Sequence, residues 1–401
     1  MTNDSSFFNK LPERPIKLTI RPDRIRDLKR GHPWVYGSSL TTPPEAKPGS
    51  FAIVRDSAGK ILAKGMYDPS CPIAFRVCAL EEELNDALIA RRIEVAVQKR
   101  AAIMNQQTSG CRLIYGEGDY LPGLICDQFS QTGVIQTDGA GPAQFWQLES
   151  IAKLIAKTAG LKSVYLKPRS GSQTQGRALF GDIPTEPVHF NEHGALFETD
   201  VINGQKTGFF LDQRENRLLI KSLAKDRNVL NLFAYTGGFS VAAGLGGATS
   251  VVSVDIAKPA IAAAERNWQL NQLSSERHQG IATNVFDYLS EALEAKKFFE
   301  LIIVDPPSFV TSKAALEKGR GAYVSIFSQS ASLVSQGGLL ALSSCSSQVS
   351  AEVFLEICSD AISKARRRAT VLHISGQPID HPFPLACEEL RYLKFILFEL
   401  D

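Results

Sequence analysis

Two short runs carry side chains able to do chemistry. One is Ser343-Ser344-Cys345-Ser346-Ser347, a thiol in a loop of small polar residues directly after the apolar run Gly338 to Ser343. A thiolate is a strong nucleophile, and a cysteine at the end of a buried strand faces whatever occupies the cleft there. The other run is Asp305-Pro306-Pro307-Ser308-Phe309, an acid behind the apolar stretch Phe299 to Val304. Its two prolines fix the backbone and hold the carboxylate at the carboxyl edge of a sheet, where open α/β sheets bind ligands. Cys345 and Asp305 are therefore the candidate catalytic pair. Cys71, Cys78, Cys126 and Cys358 read instead as buried structural thiols. Seven cysteines without any Cys-x-x-Cys argue against both a zinc knuckle and a disulfide framework.

Strands ending in such residues need a sheet, and Asn228 to Asp255 shows where it starts. Val229 to Phe233 is a short apolar run closed by the turn Ala234 to Gly238, whose glycines let the backbone approach a ligand and swing into a helix. Gly244-Leu245-Gly246-Gly247 ends that helix, and Val251 to Val254 is the second buried strand. Asp255 closes it, placed to accept from both hydroxyls of a ribose. A dinucleotide site wants Gly-x-Gly-x-x-Gly directly after the first strand, and Thr236-Gly237-Gly238-Phe239-Ser240-Val241 does not supply it. A lone adenosine fits better than a pyrophosphate, which with the acid after strand two points to S-adenosylmethionine.

Pro259 then opens a helix to about Gln272, with Ile261, Ala264 and Trp268 on one face. Ile281 to Asp287 is the third strand and its exit loop. There Asn284 offers an acceptor oxygen to an adenine amino group, and Asp287 is expected to cap the next helix. Ser308 to Gly321 reads as a polar loop before a helix from about Tyr323 to Val334. Lys364 to Arg368 closes a later helix, and a final strand follows Arg391. The alternation from 217 to 401 predicts an α/β fold with a doubly wound, Rossmann-like sheet.

Upstream, Gly204 to Arg217 is dense in polar side chains just before an apolar-periodic helix, Arg217 to Ala224. Asp212 with Glu215 is a possible capping box, which leaves Lys206, Gln213 and Arg214 unexplained. A helix N-terminus with an arginine is a natural receptor for the carboxylate of the cofactor's amino-acid end. His189 and His193 have a zinc-like spacing, but Asn191-Glu192-His193-Gly194 reads as a hairpin turn and no metal is expected.

At the other end of the chain, residues 14 to 30 carry Arg14, Lys17, Arg21, Arg24, Arg26, Lys29 and Arg30, followed by Gly31-His32-Pro33-Trp34-Val35-Tyr36. Short strands come next, Phe51 to Arg55, Ile61 to Met66 and Ile73 to Val77, and together these make a small β-barrel. From Leu84 to about Gln107 the pattern is helical with one basic face, and residues 84–190 read as a central α/β domain that presents substrate. The expected division is 1–83 for the barrel, 84–190 for the central domain and 191–401 for the cofactor domain. Across all 401 residues the formal charge is +2, so any nucleic-acid footprint has to be local. The polar start and the lack of a long apolar run predict a cytoplasmic protein with no membrane partner.

The blocks Gly31 to Tyr36, Arg112 to Gly123, Gln205 to Asn216, Asn231 to Gly238, Asp305 to Phe309 and Ser343 to Ser346 carry a resemblance over nearly the whole chain. In order and spacing it resembles the PUA-domain-containing ribosomal RNA cytosine-C5 methyltransferases of the ribosomal large subunit methyltransferase I type. The resemblance implies a PUA-like RNA-binding barrel, with Arg24, Lys29, Arg30, His32 and Trp34 as RNA contacts and 23S ribosomal RNA as partner. It implies S-adenosylmethionine held by Lys206, Gln213, Arg214, Asn231, Phe233, Ala234, Tyr235, Thr236, Gly237, Asp255, Ile256, Asn284, Val285 and Asp305. Pyrimidine C5 is not nucleophilic, so Cys345 would add to C6 and push density onto C5, with Asp305 on the N3 edge of a flipped cytosine. Related enzymes that share the Asn-Leu-Phe-x-Tyr-Thr-Gly and Asp-Pro-Pro blocks methylate guanine nitrogen and lack the cysteine. That activity is the alternative, and a catalytically silent RNA-binding assembly factor is another. The oligomeric state stays open, with a homodimer among the options.

Overall fold

The computed structural model describes residues 6–9, 15–169, 175–310 and 315–401. Arg14 and part of the Ser308 to Gly321 stretch lie outside the described residues. Two compact units divide the chain: one holds the residues up to Phe190 with Thr199–Leu211 and Ile379–Glu388, the other Asn191–Glu198, Asp212–Pro378 and Glu389–Asp401.

The first unit opens with β1 (Ile16–Thr19), α1 (Ile25–Lys29), β2 (Trp34–Val35), β3 (Ser50–Arg55), β4 (Ile61–Tyr67) and β5 (Phe75–Ala79). These strands lie in the order β1-β3-β4-β5-β2, with only β1 and β3 parallel, around Leu18, Leu28, Val54 and Phe75. Helix α2 (Asp86–Arg100) follows, started by Asn85, whose side chain accepts from the Leu88 N–H at 2.9 Å. It ends well before Gln107. Asn105 Oδ1 accepts from the backbone N–H groups of Gln107 and Thr108, a local turn that competes with further helix.

Strands β6 (Gly110–Tyr115), β7 (Leu124–Phe129) and β8 (Thr132–Thr137), helices α3 (Ala140–Phe145) and α4 (Leu148–Ala159), and strands β9 (Ser163–Leu166) and β10 (Arg177–Phe180) build a second sheet, ordered β10-β9-β8-β7-β6. Its core of Ile89, Ile114, Trp146 and Ile151 also takes in Met66, Cys78 and Ala79 from β4 and β5. Barrel and second sheet are thus welded by one apolar cluster. Cys71 differs from the reading of it as buried: it is partly exposed, while Cys78, Cys111, Cys126, Cys358 and Cys387 are buried. Strands β11 (Val188–Glu192) and β12 (Ala195–Thr199) form the hairpin expected around His193.

The second unit is an open α/β sheet. Helix α5 (Arg214–Leu223) leads into β13 (Asn228–Leu232), α6 (Gly238–Leu245), β14 (Ser250–Asp255), α7 (Lys258–Leu270), β15 (His278–Ala282), α8 (Val285–Glu294), β16 (Phe299–Val304), α9 (Leu316–Ser332), β17 (Val334–Ser344), α10 (Ala351–Lys364), β18 (Ala369–Ser375) and β19 (Lys394–Leu400). The strand order is β15-β14-β13-β16-β17-β19-β18, parallel through β17, with β19 antiparallel to both its neighbours. Helices α5, α6 and α7 bury Ile220, Phe239, Ala243 and Trp268 in one apolar layer, and α8, α9 and α10 bury Leu289, Phe327 and Phe354 in the other. Between β13 and β16 the strand order reverses, which opens a crevice at the carboxyl ends.

Helix α9 starts seven residues earlier than the sequence suggests. Gly319 falls inside the stretch read as a loop, but a Cβ there would lie 2.3 Å from Val310 Cγ2, so the glycine lets the helix approach that residue closely. Strand β18 went unread because it is an exposed edge with Val371, Leu372 and Ile374 facing solvent, without the alternation of a half-buried strand. Arg367, in the turn after α10, donates to the carbonyls of Ala331 and Val334 at 3.2 and 2.8 Å. No helix among the described residues is long and apolar enough to cross a membrane.

Candidate active site

The loop after β13 is wound tightly. Phe233, Tyr235 and Gly237 take φ values of +58°, +46° and +79°, and for the two aromatic residues that left-handed backbone is strained. Asp255 holds the loop in place. Its Oδ2 accepts from the Tyr235 N–H at 2.9 Å and its Oδ1 from the Ala257 N–H at 2.9 Å, so one carboxylate fixes the exits of β13 and β14. A Cβ on Gly237 would stand 2.7 Å from the Ala264 Cβ, and Asn267 Nδ2 donates to the Thr236 carbonyl at 2.9 Å, which presses α6 and α7 together under the loop.

Two buried polar atoms in this region have no partner in the protein. Asn231, buried, donates through Nδ2 to Ser240 Oγ at 2.8 Å, while its Oδ1 and the Thr236 Oγ1 are buried with no protein partner. A chain runs on from Ser240 to Ser253 at 2.6 Å and to His278 Nε2 at 2.8 Å, and burial holds His278 down at about 4, so its imidazole is neutral. Ala234 is buried, and its N–H bonds the Val254 carbonyl at 3.0 Å. Ile256, next to Asp255, is 71% exposed, an apolar surface beside the acid. Asn284 starts α8: its side-chain oxygen accepts from the Phe286 N–H at 2.8 Å. The cap expected of Asp287 therefore belongs to Asn284, because only a residue before the first turn has its side chain level with those free N–H groups. Val285, the first helical residue, packs its side chain into the core.

At the ends of β16 and β17, Gln213 joins Asp305 to Ser343. Its Nε2 donates to Asp305 Oδ1 at 3.0 Å and to Ser343 Oγ at 2.9 Å, and its Oε1 accepts from Asn216 Nδ2 at 2.5 Å. Burial pushes the Asp305 carboxyl up to about 6, with the nearby charge of Asp212 adding to it; hydrogen bonds from Ser343 and Gln213 and the charge of Arg217 oppose the shift. Two residues past Ser343 lies Cys345, partly exposed. Its loop is held from several sides. Tyr323 OH and Ser344 Oγ are 3.0 Å apart, Ser346 Oγ donates to the Val310 carbonyl at 2.9 Å, and Lys394 Nζ donates to the carbonyls of Ser346 at 2.5 Å and Tyr392 at 2.7 Å. Lys394 is 6% exposed; burial draws its ammonium down to about 8, while the Cys345 charge works the other way. Lys394 escaped the sequence reading, although a lysine heading an otherwise apolar strand is a visible signal.

Other candidates sit differently. The capping box does not form: Gln213 takes the N-cap position without a side-chain bond to the helix N–H groups, Asp212 Oδ2 accepts from Tyr392 OH at 2.5 Å, and Glu215 pairs with Arg214 Nε at 3.0 Å. Arg214 is fully buried. Arg217 makes a two-pronged bond to Glu192, 2.6 Å on each prong. His193 Nε2 lies 3.5 Å from Glu215 Oε2, and His189 is exposed. Lys206 belongs to the first unit, exposed, with Nζ 4.5 Å over the Phe210 ring. On the barrel, Lys29 and Arg30 are exposed, and Arg24 lies within 4 Å of Asp23 and Asp27, at 3.4 and 3.8 Å. Trp34 Nε1 donates to Glu117 Oε1 at 2.7 Å with Arg76 over its ring, and His32 Nδ1 is 3.0 Å from the Trp34 carbonyl oxygen.

An open, doubly wound sheet with a strained loop after its first strand, an acid after its second and Asp-Pro-Pro after its fourth defines a Rossmann-like methyltransferase unit. Residues 147–382 match the S-adenosylmethionine-dependent methyltransferase family, and residues 18–79 match the PUA-like domain. A ribosomal RNA large subunit methyltransferase of Deinococcus radiodurans is 36% identical, over 96% of this chain and 98% of its own. Ribosomal RNA large subunit methyltransferase I of Pseudoalteromonas translucida is 32% identical, over 94% and 98%. A solved structure from Streptococcus mutans, described as a SAM-dependent methyltransferase, superposes with a TM-score of 0.85 at 25% identity, over 96% of this chain and all of that one. Another solved methyltransferase, complexed with SAH, superposes at 0.84 with 24% identity. The chain belongs to the PUA-containing S-adenosylmethionine-dependent methyltransferase family of which these ribosomal RNA large subunit methyltransferases are members. The residues present fit that cofactor: Asn231 Oδ1 and Thr236 Oγ1 have no protein partner, Ile256 is exposed next to Asp255, and the Asp255 oxygens keep lone pairs for a ribose.

Proposed function

We propose that the protein methylates C5 of a cytosine in large-subunit (23S) ribosomal RNA, through a covalent bond from Cys345. The reading is carried by one observation: a partly exposed thiol stands at the end of β17, two residues from Ser343, which shares the Gln213 amide with Asp305. The names of the relatives supply the RNA.

In this reading the Cys345 thiolate adds to C6, forming the S–C6 bond while the C5=C6 electrons move toward C5 and N3. Asp305, with its carboxyl near 6, keeps a protonated fraction at neutral pH and donates to N3 as that nitrogen gains charge. Asp255, Asn231, Asn284 and the Phe233 to Gly237 loop would hold S-adenosylmethionine, whose sulfonium would give its methyl group to C5 and leave as S-adenosylhomocysteine. Loss of the C5 proton to a base, with the N3 proton returning to Asp305, then breaks the S–C6 bond and returns the thiolate. Lys394 holds the Ser346 carbonyl and with it the reach of Cys345. The barrel carries the RNA through Lys29, Arg30 and their neighbours, and the second sheet of the first unit presents it.

RNA with 5-fluorocytosine at the target tests the mechanism, because fluorine at C5 cannot leave as a proton and the release of Cys345 is blocked. A covalent protein–RNA complex with the unaltered chain, absent in Cys345→Ala, is the expected result. A Cys345→Ala protein that still methylates RNA would point instead to guanine nitrogen, where Asp305 and its prolines alone would orient the amino group.

A further inference from the structure

Within the first unit, β4 and β5 of the barrel and the outer face of α2 enclose a cavity of about 700 Å³. Such a volume accommodates a ligand the size of one or two nucleotides. Leu62, Val77 and Val95 line it with apolar surface, and the exposed Lys60, Arg91 and Lys99 line it with charge. Val95 is 41% exposed, an unusual position for an apolar residue on a helix that otherwise buries its apolar face.

The acids lining this cavity are mostly spent. Glu117 bonds Arg76 at 2.5 Å, Asp119 bonds Arg100 at 2.7 Å, and Glu82 bonds Arg91 and Arg92 at 2.6 and 3.0 Å. Lys60 and Lys99 make no ion pair among the described residues, and Glu81 is left as the uncommitted acid. The rim therefore carries surplus positive charge, continuous with Lys29 of the barrel, which lines the same cavity.

Tyr120 closes one end. It is 62% exposed and sits at φ +59°, a left-handed backbone that L side chains seldom adopt. Arg92 holds it there: Nη1 donates to the Tyr120 carbonyl at 2.8 Å, and the guanidinium lies 5.5 Å from the ring centroid. An exposed aromatic ring, pinned in a strained conformation and backed by a cation, is a preorganised stacking surface.

We propose that this cleft binds single-stranded RNA, with Tyr120 stacking a base and Lys60 and Lys99 contacting phosphates. The assignment rests on the RNA reading above and adds a surface to it. An acidic protein segment would satisfy the lysines but would not use the open ring face.

The test is the affinity of the full chain for a short labelled oligoadenylate as salt is varied. Lys60→Glu with Lys99→Glu is expected to weaken binding at least tenfold at low salt and to flatten the salt dependence by about 0.7 in slope for each lost contact. Tyr120→Ala is expected to weaken it about tenfold with the slope unchanged, and Tyr120→Phe to restore it. S-adenosylmethionine binding, unchanged in all of these, shows that the fold persists. Affinity and slope equal to those of the unaltered chain in both the charge-reversed and the Tyr120→Ala proteins would overturn the cleft and leave the RNA reading standing. No RNA binding by the unaltered chain would bring down both. Polyglutamate displacing the RNA as readily as unlabelled oligoadenylate of equal charge would reassign the cleft to an acidic protein segment.

Discussion

At the scale of single residues, the site's most telling feature is a carboxyl held against its preference for charge. Asp305 has an ordinary value of 3.8 and sits near 6 in the fold. Between about pH 4 and pH 6 the folded chain thus binds the proton more tightly than the unfolded one. The stability this confers is complete below pH 4 and is lost as pH rises through 6, a cost on the order of 2–3 kcal/mol at neutrality. Asp305→Asn should therefore raise the melting temperature at pH 7.5, leave it nearly unchanged at pH 4, and abolish methyl transfer; thermal melts at the two pH values, with turnover, decide it. Lys394 makes a complementary case. Lys394→Met removes a buried cation and the bond to the Ser346 carbonyl, so the fold should lose little stability while formation of the Cys345–RNA adduct falls about tenfold or more. Equal adduct yield in a quench assay would separate Lys394 from the chemistry.

Secondary-structure elements act here through their ends. The β13, β14 and β15 exits are loops whose shape is set by single residues, Gly237, Asp255 and Asn284. Asn284→Ala should cost about 1 kcal/mol by removing the α8 cap, and should weaken S-adenosylmethionine binding as well, whereas Asp287→Ala, inside the first turn, should change stability by no more than about 0.5 kcal/mol. Denaturant melts and calorimetric titration of both variants check the pair; similar losses from each would return the cap to Asp287. Gly237→Ala meets both a left-handed φ and the Ala264 Cβ at 2.7 Å, so it should distort the loop and cost cofactor affinity more than an Ala substitution at an exposed turn glycine such as Gly139.

At the scale of the molecule, the barrel cannot be treated as a detachable module. Met66, Cys78 and Ala79 lie in the core shared with Ile89 and Ile114, and Glu117 is 2.5 Å from Arg76 and 2.7 Å from Trp34 Nε1. A chain starting near residue 84 would open that core and strand Glu117 without its cation. It is expected to be protease-sensitive and aggregation-prone, as limited proteolysis would show, and RNA affinity is better dissected by charge reversal in the full chain. Glu117→Ala should cost about 3–5 kcal/mol, since it leaves the buried Arg76 with only the half-exposed Asp138 as counter-ion. A loss under 1 kcal/mol in urea unfolding would show that Asp138 suffices.

Much of the site was legible from the chain alone, because its signals are local. An apolar run ended by Asp255, another ended by Asp305 and two prolines, a third ended by Cys345, and a glycine turn after Leu232 each follow from burial along a strand and a break at its carboxyl end. These determined the sheet, and they point to the proposed cofactor crevice and candidate nucleophile. What holds them together was not legible. Gln213 bridges residues 92 and 130 positions away, Tyr392 reaches back 180 positions to Asp212, and Lys394 supports a loop 48 positions upstream. Trp34 turned to Glu117, Arg214 sank into the interior, and Tyr120 came to stand at the end of a cleft. Periodicity records which face of an element is buried; which polar atom meets which depends on how distant elements pack, and only the tertiary structure decides that.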